Sequence, residues 1–215
     1  NTPVPTATNT NTPTPSPNPM TQLSLLAGDV GGSGNADGSP GAFNFPAAMA
    51  GDDQGRVFVA DTTNCSIRQI TLATGQVSTL AGKSGACGSA NSSDGTGATA
   101  RFYSPRGISY SAPSGAYAQG RLFVADTYNN TIRQIDVATG VVSTLAGQAG
   151  SAGSTDGTGT AARFNTPRDI SYSAPSGVYT QGRLFVADRD NHSIRQIDIA
   201  TGAVTTVLGQ AGQSG

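Results

Sequence analysis

A chain of 215 residues with a net charge of -1 at pH 7 and no Lys/Arg cluster is a poor match for nucleic acid or an anionic membrane, because both require cations to neutralise phosphates. The 29 Gly, 12 Pro, absence of Trp and 12% charged residues point to many short strands and tight turns in one sizeable domain rather than to helices. No apolar run approaches a membrane span, and Asn1 is neither an initiating Met nor the start of a signal peptide, so the chain reads as a mature or excised piece.

Residues 1–20 form a Thr/Pro/Asn-rich segment with almost nothing to place in a core. Pro at positions 3, 5, 13, 15, 17 and 19 predicts an extended polyproline II linker. Thr and Ser interleaved with Pro is also the composition of O-glycosylated stalks, with Thr2, Thr6, Thr8, Thr10, Thr12, Thr14 and Ser16 as acceptors. An unmodified flexible spacer is the other reading of the same composition.

Residues 21–215 read as one repeat-built domain. Residues 21–28, TQLSLLAG, match the end of each later repeat and are expected to form an orphan last strand. A Gly/Ser loop follows with Asp37-Gly38, and Asp94-Gly-Thr-Gly and Asp156-Gly-Thr-Gly recur downstream. Asp tolerates and Gly favours positive φ, so these are turns. A calcium loop is the alternative, although it needs oxygen ligands at alternate positions and the DxDxDG pattern is absent.

One unit then occurs three times, at residues 57–82, 122–147 and 184–209. An apolar run ends at an Asp (Asp61, Asp126, Asp188), an Asn follows three residues on (Asn64, Asn129, Asn191), then comes Ile-Arg-Gln-Ile, and an Ala-Thr-Gly turn leads into a Val/Thr-rich strand. The interval from the Asp to the turn Gly is 14 in every copy, whereas the Asp residues themselves lie 65 and 62 apart. The unit is therefore rigid and only the connections vary. With the short strand that follows Pro105 and Pro167, each repeat, at about 43–82, 105–147 and 167–209, predicts four strands. Consecutive apolar residues in LFVAD put apolar groups on both sheet faces, as stacked sheets require. The Asp and Asn side chains are placed at a hairpin, where they can bond to turn backbone. Two insertions, residues 111–120 and 173–182, read as protruding hairpins with Tyr117 and Tyr179 exposed.

Little in the chain carries chemistry. His192 is its single His and takes a structural reading over a catalytic one. The arginines Arg68, Arg133 and Arg195 recur in step and are read as solvated or laddered strand residues, with anion binding as the alternative. Cys65 and Cys87 both belong to the first repeat and have no counterparts in the others, so they read as a disulfide, with two free thiols as the other possibility. Four sequons make Asn91, Asn64, Asn129 and Asn191 candidates for N-glycosylation. Asn91 stands in a Gly/Ser loop, whereas the other three coincide with the Asn that the turn itself needs.

The pattern FxxPxxI, LFVADxxNxxIRxI and TGxVxTLAG, joined by DGTGxxARF, resembles the NHL-repeat family of β-propellers, especially bacterial secreted members, over about nine tenths of the chain. The family's His after the Asn is replaced by Cys65 and Asn130 and kept only at His192. The resemblance implies an all-β propeller of four-stranded blades around an axis, commonly six. Three blades do not close a ring, since closed propellers start at about four. Three repeats and an orphan strand are thus expected to be completed by other copies or further repeats. The expected function is a non-enzymatic extracellular or cell-surface module, the repeating unit of a glycosylated assembly or fibre. Its expected partners are copies of itself and glycans, without cofactor, metal, catalytic residue, nucleic acid or membrane span. The alternative is part of a lyase- or lactonase-like propeller enzyme whose metal site lies in repeats outside this piece.

Overall fold

The computed structural model describes residues 25–28, 32–87 and 92–210. The Thr/Pro segment, its proposed O-glycan acceptors Thr2 to Ser16, the start of the expected orphan strand at 21–24, and Asn91 lie outside the described residues.

Three antiparallel sheets follow the three repeats. The first contains β1 (Pro46–Gly51), β2 (Arg56–Asp61), β3 (Ser66–Thr71) and β4 (Gln76–Gly82) in that spatial order. The second adds a two-residue edge, β5 (Gly95–Thr96), to β6 (Pro105–Ser111), β7 (Arg121–Asp126), β8 (Thr131–Asp136) and β9 (Val141–Gly147). The third repeats this with β10 (Gly157–Thr158), β11 (Pro167–Ser173), β12 (Arg183–Asp188), β13 (Ser193–Asp198) and β14 (Ala203–Leu208). The all-β expectation and the four strands per repeat are borne out. In the first sheet an isolated bridge between Gly38 and Val77 takes the place of the short edge strand. Among the described residues helix is limited to single 3-10 turns, and none is long and apolar enough to cross a membrane.

Register explains why the fourteen-residue interval does not vary. The β2–β3, β7–β8 and β12–β13 pairs match residue for residue, with Val59, Val124 and Val186 opposite Arg68, Arg133 and Arg195. One inserted residue would turn every following side chain to the opposite face. The chain leaves the last strand of the first two repeats through Gly82 and Gly147, both at positive φ. A Cβ on Gly82 would lie 2.6 Å from the Cys65 carbonyl oxygen, so the loop can cross the preceding turn only as glycine.

Each sheet packs on the next. Phe58, Ala60, Ile67 and Ala81 on one face of the first sheet meet Ile108, Leu122, Val124, Ile135 and Val142 of the second, with Phe102 between them. The opposite face of the second, Phe123, Ala125, Ile132 and Ala146, meets Ile170, Leu184, Val186, Ile197 and Val204 with Phe164 between. The inner strands β1, β6 and β11 lie side by side. Their approach is close enough that a Cβ on Gly107 would sit 2.7 Å from the Asp169 Cα.

Two expectations are corrected. Residues 25–28 form no strand: Leu25 and Leu26 are exposed, and Ala27 packs beside Val59, Ile70 and Val77. The matching strand of a full repeat pairs with its own Ile-Arg-Gln-Ile strand, which this segment lacks. Tyr117 and Tyr179 are half-buried, because each ring covers a guanidinium, Arg121 at 4.2 Å and Arg183 at 4.7 Å.

Cys65 and Cys87 are joined, with their Cα atoms 5.3 Å apart across a separation of 22 residues. The bridge ties the loop after β4 to the turn between β2 and β3. Closing a loop of this size is worth about 3 kcal/mol. Intact mass should rise by two protons on reduction, and the reduced protein should unfold at lower denaturant. Unchanged mass and an unchanged midpoint would mean two free thiols.

Candidate functional site

The recurrent Asp and Asn converge with the recurrent Arg into one charge cluster per repeat. In the second repeat Asp126 accepts the Tyr103 backbone N–H at 2.7 Å through Oδ1. Its Oδ2 accepts from the Asn129 amide at 2.8 Å and from Arg133 at 3.1 Å. The other end of the Arg133 guanidinium donates to Asp94 at 2.8 Å and to the Ser93 carbonyl at 3.1 Å, while Nη1 also reaches the Arg101 carbonyl at 3.0 Å. The Phe102 ring lies under it at 5.2 Å. Thr144 on β9 closes the set by donating to Asp94 at 3.0 Å.

The same contacts recur around Arg68, with Asp61 at 3.0 Å and Asp37 at 2.6 Å, and around Arg195, with Asp188 at 2.9 Å and Asp156 at 2.7 Å. Asn64 and Asn191 donate to their Asp at 2.8 and 2.7 Å, as Asn129 does. Sequence reasoning placed the Asp–Asn pair at the hairpin correctly but not its role, which is to hold a buried cation. The three arginines are 0% exposed, which overturns their reading as solvated strand residues. The anions they bind are the protein's own carboxylates. Asp37, Asp94 and Asp156 are therefore ion-pair partners as well as turn formers. The signal available in the sequence was that an Asp-Gly precedes each Arg, by 39 residues in the second and third repeats and by 31 in the first.

The N-glycosylation candidates Asn64, Asn129 and Asn191 are corrected as well. They are 6, 0 and 6% exposed and their amide nitrogens are hydrogen-bonded to carboxylates, so a glycan on any of them is incompatible with this fold. The residue after each Asn, Cys65, Asn130 or His192, is in the left-handed region at φ 51, 58 or 53°. From that position the Asn130 side-chain Oδ1 accepts the Thr166 backbone N–H at 2.8 Å, linking second and third repeats.

Electrostatics differ across the cluster. Burial pushes the Asp126 and Asp188 carboxyls up, against the arginine, asparagine and backbone donors that favour their charge. At Asp156 burial acts in the same sense but is outweighed by the Thr206 backbone and hydroxyl and by Arg195, which hold it below the usual range.

A second feature is a sheet face without a neighbour. Phe58 and Phe123 are 0% exposed, as are the pairs Ala60 and Ala125, Ile67 and Ile132, Ala81 and Ala146. Their third-repeat equivalents, Phe185, Ala187 and Ile194, are only half-buried, and Leu208 is 66% exposed. Beside this face the polar links also stop. Arg56 donates to Gln119 of the second repeat at 2.6 Å and Arg121 to Gln181 of the third at 3.3 Å, whereas the Arg183 guanidinium makes no hydrogen bond among the described residues. On the opposite side of the molecule Met49 and Leu72, which stand where Ile108 and Val137 stand in the second repeat, are 69 and 41% exposed.

No family model matches the chain. It is 33% identical over 172 residues to the protein SUPPRESSOR OF QUENCHING 1, chloroplastic, of Arabidopsis thaliana, covering 78% of this chain and 15% of that protein. It is 28% identical over 191 residues to NHL repeat-containing protein 2 of Homo sapiens, covering 82% of this chain and 24% of that one. The chain thus spans less than a quarter of the length of these curated relatives. An auxiliary nutrient binding protein from Bacteroides ovatus superposes with a TM-score of 0.56 at 21% identity, over 72% of this chain and 35% of that chain. This last likeness shows the fold. Together these findings support an NHL-type β-propeller family, and the three sheets are blades of a partial propeller.

Replacing Arg133 by Met should cost about 3–5 kcal/mol at neutral pH, since it strands the buried Asp126 charge. That carboxyl already sits above its usual value of about 3.9, so the folded state holds its proton more tightly than the unfolded one. The deficit should therefore shrink as pH falls. Asp156→Asn should cost less than about 1 kcal/mol, because its carboxylate is half exposed. That loss belongs to a depressed carboxyl and should disappear as pH falls through and below about 3.9. Chemical denaturation across pH measures both. A deficit of Arg133→Met that grew toward acid would contradict this account.

Proposed function

We propose that the chain is a non-catalytic structural or binding module whose open blade faces are covered by blades of another copy, making it the repeating unit of an extracellular, surface-displayed or fibre-forming assembly. The observation that carries this is the third blade: the positions that are fully buried at both existing blade junctions are only half-buried there, and Leu208 is 66% exposed. An apolar face of this kind marks an interaction surface. The same chain offers part of the complement: on the outer face of its first blade Val59, Ile70 and Val77 are covered by Ala27 and Phe43, but Met49 and Leu72 are left exposed where the second blade receives its neighbour.

Several further observations support the reading. The carboxylates of the Asp52–Asp53 loop lie in the first blade, between β1 and β2, as the insertion carrying Gln119 lies between β6 and β7. Asp52 is taken up by Arg56 at 2.7 Å, and the exposed Asp53 beside it is the group left to meet Arg183 of another copy. The Cys65–Cys87 bridge suits an oxidising compartment. The Thr/Pro composition of residues 1–20 suits a glycosylated spacer of the bacterial secreted kind that carries the propeller segment away from a surface. Each repeated Asp, Asn and Arg serves to hold a blade together, which is what a structural module asks of its polar residues.

Sedimentation of the 215-residue chain over a range of concentrations tests the assembly. Self-association is expected, together with a shift to monomer in Leu208→Asp and in Met49→Asp, which lie on opposite faces. Association that survives both substitutions, or a wild-type chain that stays monomeric at high concentration, would overturn the reading. Intact mass above 21.5 kDa from the native source would report the glycans.

A further inference from the structure

The inner strands carry an irregularity at the same place in each blade. Pro46 faces Asp61 and Ala48 faces Ala60, so Ala47 is bulged out of the ladder. Arg168 is displaced in the same way between Pro167 and Asp169, and Arg106 with Gly107 between Pro105 and Ile108. A bulge re-aims the side chain it carries. Here the three bulges border one cavity of about 560 Å³ where the inner strands meet, lined by Ala47, Arg106, Arg168, Asp169 and Phe45.

The two guanidinia differ from the buried ones. Neither Arg106 nor Arg168 makes a hydrogen bond or an ion pair to protein among the described residues. Arg106 has only the Tyr128 ring, 5.9 Å away. The carboxylate that shares the cavity, Asp169, accepts the backbone N–H of Ile170 at 2.9 Å through Oδ1. The lining therefore holds two cations against one anion. At the equivalent place in the first blade stands Ala47, whose small side chain leaves the space between the arginines and that blade open. Phe45, 66% exposed and at φ 56°, offers an aromatic surface at the edge of the same space.

We propose that this cavity binds a small ligand through an oxyanion, a carboxylate or a phosphate-type group, held between Arg106 and Arg168, with the body of the ligand against Phe45. Guanidinium forks pair with such groups through two parallel bonds, which makes them both strong and directional. The proposal is separate from the assembly reading, since blades can stack around an empty cavity and the cavity can fill in a monomer.

The test is calorimetric titration of the full chain, in whatever oligomeric state it adopts, with citrate and with inorganic phosphate at an ionic strength held constant with chloride. Saturable binding is expected with at least one of the two probes. Arg106→Ala and Arg168→Ala should each weaken it at least about tenfold, as loss of a charge-assisted contact does, while Lys83→Ala, an exposed cation elsewhere, should leave it unchanged. Arg168→Lys should recover only part of the affinity, because it restores charge without the fork. Saturation by citrate alone identifies a carboxylate ligand and by phosphate alone a phosphorylated one. Heats that never saturate, or a loss in Lys83→Ala equal to that in the arginine variants, would overturn the site. Circular dichroism confirms that each variant is folded, and Arg106→Gln and Arg168→Gln replace any that is not. Sedimentation of the same samples separates the proposals: association lost with binding intact removes only the assembly, and the reverse removes only the site.

Discussion

The fold depends on a cation buried in each blade. Arg68, Arg133 and Arg195 are each taken wholly out of water and gripped by two carboxylates, two backbone carbonyls and an aromatic ring. A buried ion pair gains little net stability over well-packed apolar residues, because desolvation offsets the attraction. What it fixes is arrangement. The partners in the second repeat come from the Asp-Gly loop, the Arg101–Tyr103 approach, the end of β7, its hairpin and β9. Only one mutual placement of these five segments satisfies the guanidinium. Any other leaves a charge uncompensated in the interior, where the cost is several kcal/mol. The connections may then vary in length without disturbing the blade.

Between blades the contact is of a different kind. It is apolar, nearly identical at both junctions, and supplemented by single polar links such as that from Asn130 to the Thr166 backbone. Within a blade, then, arrangement is set by charge, and between blades by area. Stacked repeats of this sort gain stability from each added neighbour, and a terminal repeat needs either a polar cap or a partner. The third blade is no more polar than the second, since Phe185, Ala187 and Ile194 repeat Phe123, Ala125 and Ile132, and Leu208 replaces Ala146 by a larger apolar residue. Nothing in its sequence prepares it to face water.

The blades were legible in the sequence because their information is periodic. The constant fourteen-residue interval, the alternation of turn and strand residues and the Asp–Asn pair each recur three times, and repetition raises a weak local signal above chance. The clusters were less legible. A recurrent strand Arg looks the same on paper whether it faces solvent or a carboxylate from a loop 39 residues earlier, because the partner lies outside its local context. Reading Asp94 and Arg133 as separate motifs, one a turn and one a strand position, hid their pairing. Residues 25–28 show the opposite error: the sequence of a last strand was present, but a strand is made by its neighbour, and here that neighbour is missing. For Tyr117 and Tyr179 the miss came from Arg121 and Arg183, which follow four residues later and reach back over the rings.

The inner strands show how a repeat can keep its frame and vary at one point. Pro, a bulge and an apolar strand recur in all three blades, and positive φ precedes each Pro at Phe45, Ser104 and Thr166. That conformation is costly for a bulky side chain, and it persists only where the surroundings impose it. Here the imposing group is the Asp at the end of the second strand, which accepts the backbone N–H two residues before each Pro, at Asn44, Tyr103 and Asn165. The buried charge cluster therefore also sets the geometry of the bulge beside the axis. Within that fixed frame the bulged position is free to differ, as Ala47, Arg106 and Arg168 do, because its side chain leaves the ladder and joins no core. A scaffold that holds its backbone by an internal ion cluster can change what lines its axis without changing its fold.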